Sequence, residues 1–353
     1  MTTTQPREVD GPVTPLANRP AAETGVTGEL DEIEPRGYWE SVWRSFKQDK
    51  VAIGGGVTIV LLIFLCYAGG PIFSRLLGHG PNTLFFNAVT EGGYPVGPWS
   101  HVKNTPYLGA SGHFSTVFLP LGADSAQGRD EFLRLLYGGR VSLEVAIFAT
   151  LVSLALGVVL GAVGGYFGGI IDMIISRMTE LVMAFPVILF IIALSAVAGP
   201  QLNGITFGFL QRGVFTITLV LSVFGWFYPA RIARAQVLSL REKEFVEAAR
   251  MVGSSDTRII FSHLLPHLVA PMIVLGTISV GQNVLAEAGL SFLGIGIQDP
   301  TPSWGNLLGE APQFYLEVPW LMLWPGLAVL ITTLAFNLLG DGLRDAFDPQ
   351  TAR

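Results

Sequence analysis

Residues 244–266 read E-F-V-E-A-A-R-M-V-G-S-S-D-T-R-I-I-F-S-H-L-L-P, the most polar stretch in the second half of a very apolar chain. Phe245, Ala248, Ala249 and Val252 fall at i, i+3, i+4 and i+7, the spacing that lines one face of a short helix. Glu244, Glu247 and Arg250, with Arg241 just upstream, charge the remainder. Gly253 stops that helix, because glycine enters a left-handed cap without steric strain. Ser254 or Ser255 then has the chemistry to cap a second helix, which Pro266 is expected to interrupt. On physical grounds alone the stretch reads as an amphipathic turn lying on a membrane surface between two spans.

The composition agrees with a membrane protein. Half of the 353 residues are hydrophobic and only 14% are charged, where a soluble chain would carry roughly a quarter. A net charge of −6 speaks against a nucleic-acid partner, because no run of Lys and Arg is present to neutralise phosphates. Cys66 is the single cysteine and lies inside an apolar run, which excludes an internal disulfide framework and fits a small buried hydrophobe. The first long apolar run starts near Val51, too far along for a cleaved leader, and reads as an uncleaved span.

Six spans are predicted: 51–73, 145–171, 181–200, 213–230, 268–297 and 318–340. The first is charge-free over 23 residues, enough to cross a hydrocarbon core of roughly 30 Å. Ahead of it, residues 1–36 hold seven acidic and three basic residues and little apolar surface, a disordered tail by composition. Residues 37–50 alternate Trp39, Trp43 and Phe46 with Arg44, Lys47 and Lys50, an interfacial amphipathic helix. Arg231, Arg234, Arg241, Lys243, Arg250 and Arg258 crowd the loop before the fifth span, whereas the loop 291–319 has no basic residue. Positive loops stay inside, so both termini and the 244–266 loop face the cytoplasm and residues 74–139 form an external loop. That loop is long, rich in Gly and Pro and without clear periodicity, and reads as a folded or semi-ordered external loop rather than a linker.

In the second span Gly157, Gly161, Gly165 and Gly169 recur every four residues, a stripe that lets two helices approach closely. The packing expected of it is within the chain rather than between copies. Glu287 lies about twenty residues into the fifth span, where a charge is costly and usually functional. It either faces a water-filled route or hydrogen-bonds a neighbouring helix. With Gln282 and Asn283 a turn earlier it makes a polar patch, the candidate lining of a translocation pathway. No nucleotide-cradling glycine loop, zinc-protease helix or serine-nucleophile elbow occurs, so no catalysis and no cofactor are expected of this chain. His79, His101 and His113 have no metal-site spacing and read as surface histidines.

Four stretches carry a family resemblance. The spacing E-A-A-x-x-x-G with a downstream L-P, from Glu247 through Gly253 to Pro266, resembles the cytoplasmic loop of ABC-importer permeases; His263 stands where isoleucine is usual. Residues 121–143, L-G-A-D-S-A-Q-G-R-D-E-F-L-R-L-L-Y-G-G-R-V-S-L, resemble the stretch leading into the second span of dipeptide and oligopeptide permeases, with Ala123 for threonine and Leu133 for serine. Residues 285–305 are similar to that subfamily's L-A-E-A-x-L-S-F-L-G-L-G followed by P-S-W-G. Residues 337–349, N-L-L-G-D-G-L-R-D-A-F-D-P, are similar to its C-terminal motif.

The resemblance covers about residues 36–349. It implies an all-α membrane protein with six transmembrane helices and both termini cytoplasmic, folded as a type I ABC-importer permease bundle in a bacterial inner membrane. It implies a second homologous permease subunit, two ATPase subunits that carry ATP hydrolysis, and an extracellular substrate-binding protein. Glu244, Phe245, Glu247, Ala248, Ala249, Arg250 and Gly253 would then be the ATPase-coupling site, and the chain would form half of a pathway for peptides. The solute stays open among dipeptides, longer peptides, nickel chelates and other small solutes. The implied layout is a tail 1–36, an interfacial helix 37–50, a first span 51–73, an external loop 74–139 and a permease core 140–349 holding the coupling loop 241–266. Two rivals compete: a secondary transporter, which would want an internal repeat and paired midplane charges, and a membrane scaffold without transport.

Overall fold

A computed structural model describes residues 38–103, 116–184, 186, 188–189, 192–193 and 213–348. The acidic tail, His113 and most of the span expected at 181–200 lie outside the described residues. The chain divides into two units, residues 1–41 and 42–353. Of the first, residues 38–41 are described and open helix α1 (Tyr38–Gln48).

In the second unit, α2 (Lys50–Leu77), α3 (Glu131–Phe167), α5 (Val214–Leu240), α7 (Asp256–Phe292) and α9 (Trp320–Phe347) are each long and apolar enough to cross a membrane. They coincide with five of the six expected spans. In a bilayer every backbone polar group must be paired internally, and uninterrupted helix achieves that. The faces turned outward are apolar: Val60 is 65% exposed on α2 and Leu330 60% on α9, a surface suited to lipid or to another apolar chain rather than to water. Side chains cap the openings. Asp49 accepts from Val51 and Ala52 N–H at 2.8 and 3.0 Å, and Asp130 from Phe132 and Leu133 N–H at 2.8 and 3.2 Å.

The helices pack in a row in which α2 lies on α9, α9 on α7, α7 on α3, and α3 on α5. The last contact is built by glycine. A Cβ on Gly157 would come within 2.6 Å of Pro229 Cβ, and one on Gly165 within 2.9 Å of the Arg234 carbonyl oxygen; on Gly161 it would run into the Ala230 carbonyl. The stripe therefore serves packing within the chain. Gly169 does not belong to it. Gly168 and Gly169 both have positive φ, 66° and 55°, so α3 ends at Phe167 and the chain turns into α4 (Gly169–Ala184). The span expected to run to residue 171 stops sooner, because two adjacent residues in that conformation cannot continue a right-handed helix.

Two other expectations are corrected. Pro266 does not interrupt its helix. Residues Ile259–Leu264 widen into a π turn, where Leu265 N–H bonds the Ile260 carbonyl, and the wider turn accommodates a residue that has no N–H. The helix then runs unbroken to Phe292. Within the segment 74–139, expected to be a folded or semi-ordered loop, α2 extends to Leu77 and α3 starts at Glu131. Between them β1 (Ser100–Lys103) pairs antiparallel with β2 (Thr116–Leu119), placing Val102 opposite Val117 over a small core with Phe85, Ala88, Leu119 and Ala123. The chain is thus mostly but not wholly helical. Finally, His79 is not a surface histidine: its side chain is buried and Nε2 lies 2.8 Å from Asp130 Oδ2.

Candidate functional site

Helix α6 (Glu244–Met251) is the joint between α5 and α7, and its two sides differ sharply. Val246 is fully buried, in a cluster with Ala162 and Tyr166 of α3, Val237 of α5, and Ile259 and Leu264 of α7. Phe245, Glu244, Glu247, Ala248 and Arg250 are exposed, Ala249 is half-buried, and Val252 beyond the helix is 87% exposed. The face that the spacing of Phe245, Ala248, Ala249 and Val252 marks out is split: Ala248 and Val252 point outward, Phe245 is exposed but lies beside His267 with ring centres 5.4 Å apart, and Ala249 packs on the buried cluster. Gly253 has φ 85°. Its N–H bonds the Arg250 carbonyl at 2.9 Å and the Ser254 N–H bonds that of Ala249 at 3.0 Å, closing the helix with a Schellman turn. Glu244 and Glu247 sit in the first turn and Arg250 in the last, each at the end of the helix dipole that favours its charge. The result is a short apolar face rimmed by both signs of charge, a surface that can seat another protein.

Three contacts hold α6 and the residues that flank it against α3. The Tyr166 hydroxyl donates to Asp256 Oδ1 at 2.6 Å, and the Arg250 guanidinium lies 5.3 Å from the Tyr166 ring centre. Arg241 Nη1 donates to the Gly165 carbonyl at 3.1 Å. Beside them Arg234 grips Asp172 with both nitrogens, Nη2 to Oδ2 at 2.6 Å, fastening α5 to α4. The hydrogen bonds from Arg234 hold the Asp172 carboxyl below the usual range, against the smaller opposing effect of burial.

Of the three candidate pathway residues, the structure puts two together. Gln282 and Asn283 line a cavity of about 410 Å³ with Thr150, Ser153, Tyr228 and Ser279, and among the described residues no charged side chain lines it. Asn283 Nδ2 donates to Thr150 Oγ1 at 2.8 Å. Glu287 lies elsewhere, fully buried, with Ser291 Oγ donating to Oε1 at 2.7 Å. The hydroxyls of Ser142 and Ser303 also face its carboxyl, although Oε2 has no aligned donor. The carboxyl thus sits among hydroxyls of α3, α7 and the residue ahead of Trp304 rather than in that cavity. A second cavity, of about 580 Å³, opens between α4 and α5 beside Thr179, Glu180, Arg231 and Arg234.

Sequence reading missed one further cluster. Arg129 and Arg134, both almost fully buried, converge on Asp124, Asp299 and Glu310. Arg129 Nε donates to Asp124 Oδ2 at 2.7 Å, Nη1 to Asp299 at 3.1 Å and Nη2 to Glu310 at 3.2 Å. Arg134 Nη2 reaches Asp299 at 3.0 Å and Nη1 Asn82 at 2.9 Å. Burial disfavours the charge of Asp299, yet the two arginines outweigh it and hold its carboxyl below the ordinary range. Burial, and then the charges of Asp124 and Asp299, push Glu310 up to about 7. The cluster pins the start of α3 to the 299–302 turn and to α8 (Trp304–Glu310). A hint was available: two arginines in 129–134 and a loop 291–319 that carries acids but no basic residue of its own.

Residues 155–353 match the family described as binding-protein-dependent transport system inner membrane component. The chain belongs to that family. Residues 37–87 match a second description, the N-terminal transmembrane domain of oligopeptide transport permease C. The permease is 37% identical over 339 residues to the dipeptide transport system permease protein DppC of Alkalihalophilus pseudofirmus, covering 96% of both chains. It is 35% identical over 312 residues to the glutathione transport system permease protein GsiD of Escherichia coli O6:K15:H31, covering 88% of this chain and 90% of the other. The solved MetNI methionine ABC transporter in inward-facing form aligns with 60% of this chain and 95% of its own at TM-score 0.45 and 18% identity. The family match takes in all of α6 and the 410 Å³ cavity apart from Thr150, Ser153 and Leu154. It leaves Arg129 and Arg134 ahead of its first residue.

Proposed function

We propose that this chain is one permease subunit of an ATP-driven importer that carries peptides across a bacterial inner membrane, with six spans and both termini cytoplasmic. The observation that carries the reading is α6: an exposed apolar and charged face on a helix whose opposite side is rooted by Val246. Such a face has use only if something binds it, and the partner that fits is an ATPase subunit. A second homologous permease completes the bundle and closes the pathway, and an extracellular substrate-binding protein delivers the cargo at the far end of α3. Gln282 and Asn283 line the route, while Glu287 braces α7 from within. Peptide cargo follows from the relatives' names, dipeptide and glutathione, and an uncharged amide- and hydroxyl-lined cavity suits peptide groups.

In this reading closure of the ATPases on ATP displaces Glu244, Phe245, Glu247, Ala248, Ala249, Arg250 and Gly253 as one body. Motion reaches α3 and α5 because their glycine contact leaves no slack. The layout that goes with it is a tail 1–36, an interfacial helix 37–50, a first span 51–73, an external loop 74–139 and a core 140–349. The test is co-purification from the native membrane. Recovery of two ATPase subunits and a second permease is expected. A chain that purifies without ATPases would favour a secondary transporter or a scaffold.

A further inference from the structure

We infer that Tyr166 is the positioning residue through which the docking helix moves with α3; the inference rests on the reading of α6 as the ATPase joint. Contacts from before, within and after α6 converge on the last turn of α3. Arg241, ahead of α6, donates to the carbonyls of Gly165 and Tyr166 at 3.1 and 3.5 Å. Arg250, in its last turn, lies over the Tyr166 ring at 5.3 Å. Asp256, beyond the Gly253 turn, accepts from the Tyr166 hydroxyl at 2.6 Å. A helix followed by a single left-handed glycine has a natural hinge, and nothing lies within 4 Å of the position a Gly253 Cβ would take. Without a clamp across that hinge, force on α6 would be lost in rotation about Gly253. Tyr166 supplies the clamp, since one side chain holds Arg250 before the hinge and Asp256 after it.

The chemistry needs tyrosine. The ring face attracts the guanidinium, and the hydroxyl at its tip reaches the carboxylate. Phenylalanine keeps the first contact and loses the second; leucine loses both. Tyr166 is 6% exposed and packs in the same cluster as Val246, so the clamp and the root of α6 are contiguous. From Tyr166 the path continues up α3 to Gly165, Gly161 and Gly157, where α5 lies in backbone contact.

The experiment uses the complete complex, with both permeases, ATPases and binding protein, in proteoliposomes. ATP hydrolysis is measured with and without loaded binding protein for Tyr166→Phe, Tyr166→Leu, Asp256→Ala and the double variant Tyr166→Phe/Asp256→Ala. Basal hydrolysis per assembled complex should stay near wild type. Stimulation by loaded binding protein should drop about tenfold or more in Tyr166→Leu and by less in Tyr166→Phe, the size usual for a lost coupling between sites. The double variant should be no worse than its worse single, because both changes remove the same bond. A purely structural tyrosine would instead lower the yield of complex and leave the stimulation ratio intact, and that result overturns the inference. If Tyr166→Leu does not assemble, Tyr166→Phe and Asp256→Ala decide, and full stimulation in both overturns it. Should Gly253→Val uncouple the complex while Tyr166→Leu does not, only the role of Tyr166 falls. Should wild type bring down no ATPase, the reading of α6 itself falls.

Discussion

Val246 and Val252 stand six residues apart around one short helix, yet Val246 is fully buried and Val252 is 87% exposed. Two identical side chains thus mark the root and the free face of the joint. Val246→Ala should cost about 1–3 kcal/mol through lost burial and a small cavity, read as a lower melting temperature of the purified permease. Val252→Ser should leave melting unchanged and weaken ATPase retention during purification. Equal effects on both readouts would mean that the two sides are not distinct.

The close packing of α3 on α5 makes its own prediction. A Cβ at Gly161 would collide with the Ala230 carbonyl and come within 2.8 Å of Ala233 Cβ, whereas one at Gly54 on α2 meets nothing within 4 Å. Gly161→Ala should destabilise by about 1–3 kcal/mol through overpacking. Gly54→Ala should be neutral, or stabilising by up to about 1 kcal/mol through restricted backbone freedom. Thermal melting of both variants in the same detergent checks the pair.

Which features were legible follows from where their causes lie. Five spans could be read because a long apolar run with at most one charge must be helical in lipid whatever its neighbours do. The Gly253 cap was legible because the preference is that residue's own. Burial of Val246 rather than the Phe245 face was not, since both sides of an eight-residue helix are partly apolar and the choice belongs to α3 and α7. Arg129 and Arg134 escaped notice for a similar reason: their carboxylate partners Asp299 and Glu310 lie more than 160 residues away in sequence. The π turn ahead of Pro266 is a tertiary answer to a local break.

The buried charge cluster predicts a pH dependence. Glu310 titrates ordinarily near 4.5, and in the folded chain at about 7. Between those values the folded chain holds the extra proton, so stability falls as pH rises across that window. The contribution is fully present below the ordinary value and gone above about pH 7. Asp299 has the opposite sign: its lowered value adds stability above the ordinary carboxylate range, lost as acid protonates it. Melting measured from pH 5 to pH 8 should therefore show a decline on the order of 1–3 kcal/mol that Glu310→Gln flattens. An unchanged slope in Glu310→Gln would show that another group sets it.

Orientation is open to a direct reading. Glu242, beside α6, and Gln313, beyond α8, are both exposed. In a variant whose Cys66 has been replaced, cysteine introduced at Glu242 should react with an impermeant thiol reagent only from the cytoplasm, and cysteine introduced at Gln313 only from outside. The reverse pattern would overturn the topology and with it the placing of every partner.

The central claim is that α6 transmits ATPase closure, and Gly253 tests it most directly. Its φ of 85° is strained for any side chain, and the space around it is open, so Gly253→Val should tilt the docking helix without disturbing the core. The measurement is transport by the reconstituted complex together with hydrolysis stimulated by loaded binding protein. The account predicts a variant that inserts and pairs with its partner permease normally while both activities collapse. Transport at the normal rate by Gly253→Val would contradict it and leave residues 244–266 as an amphipathic loop on the membrane surface.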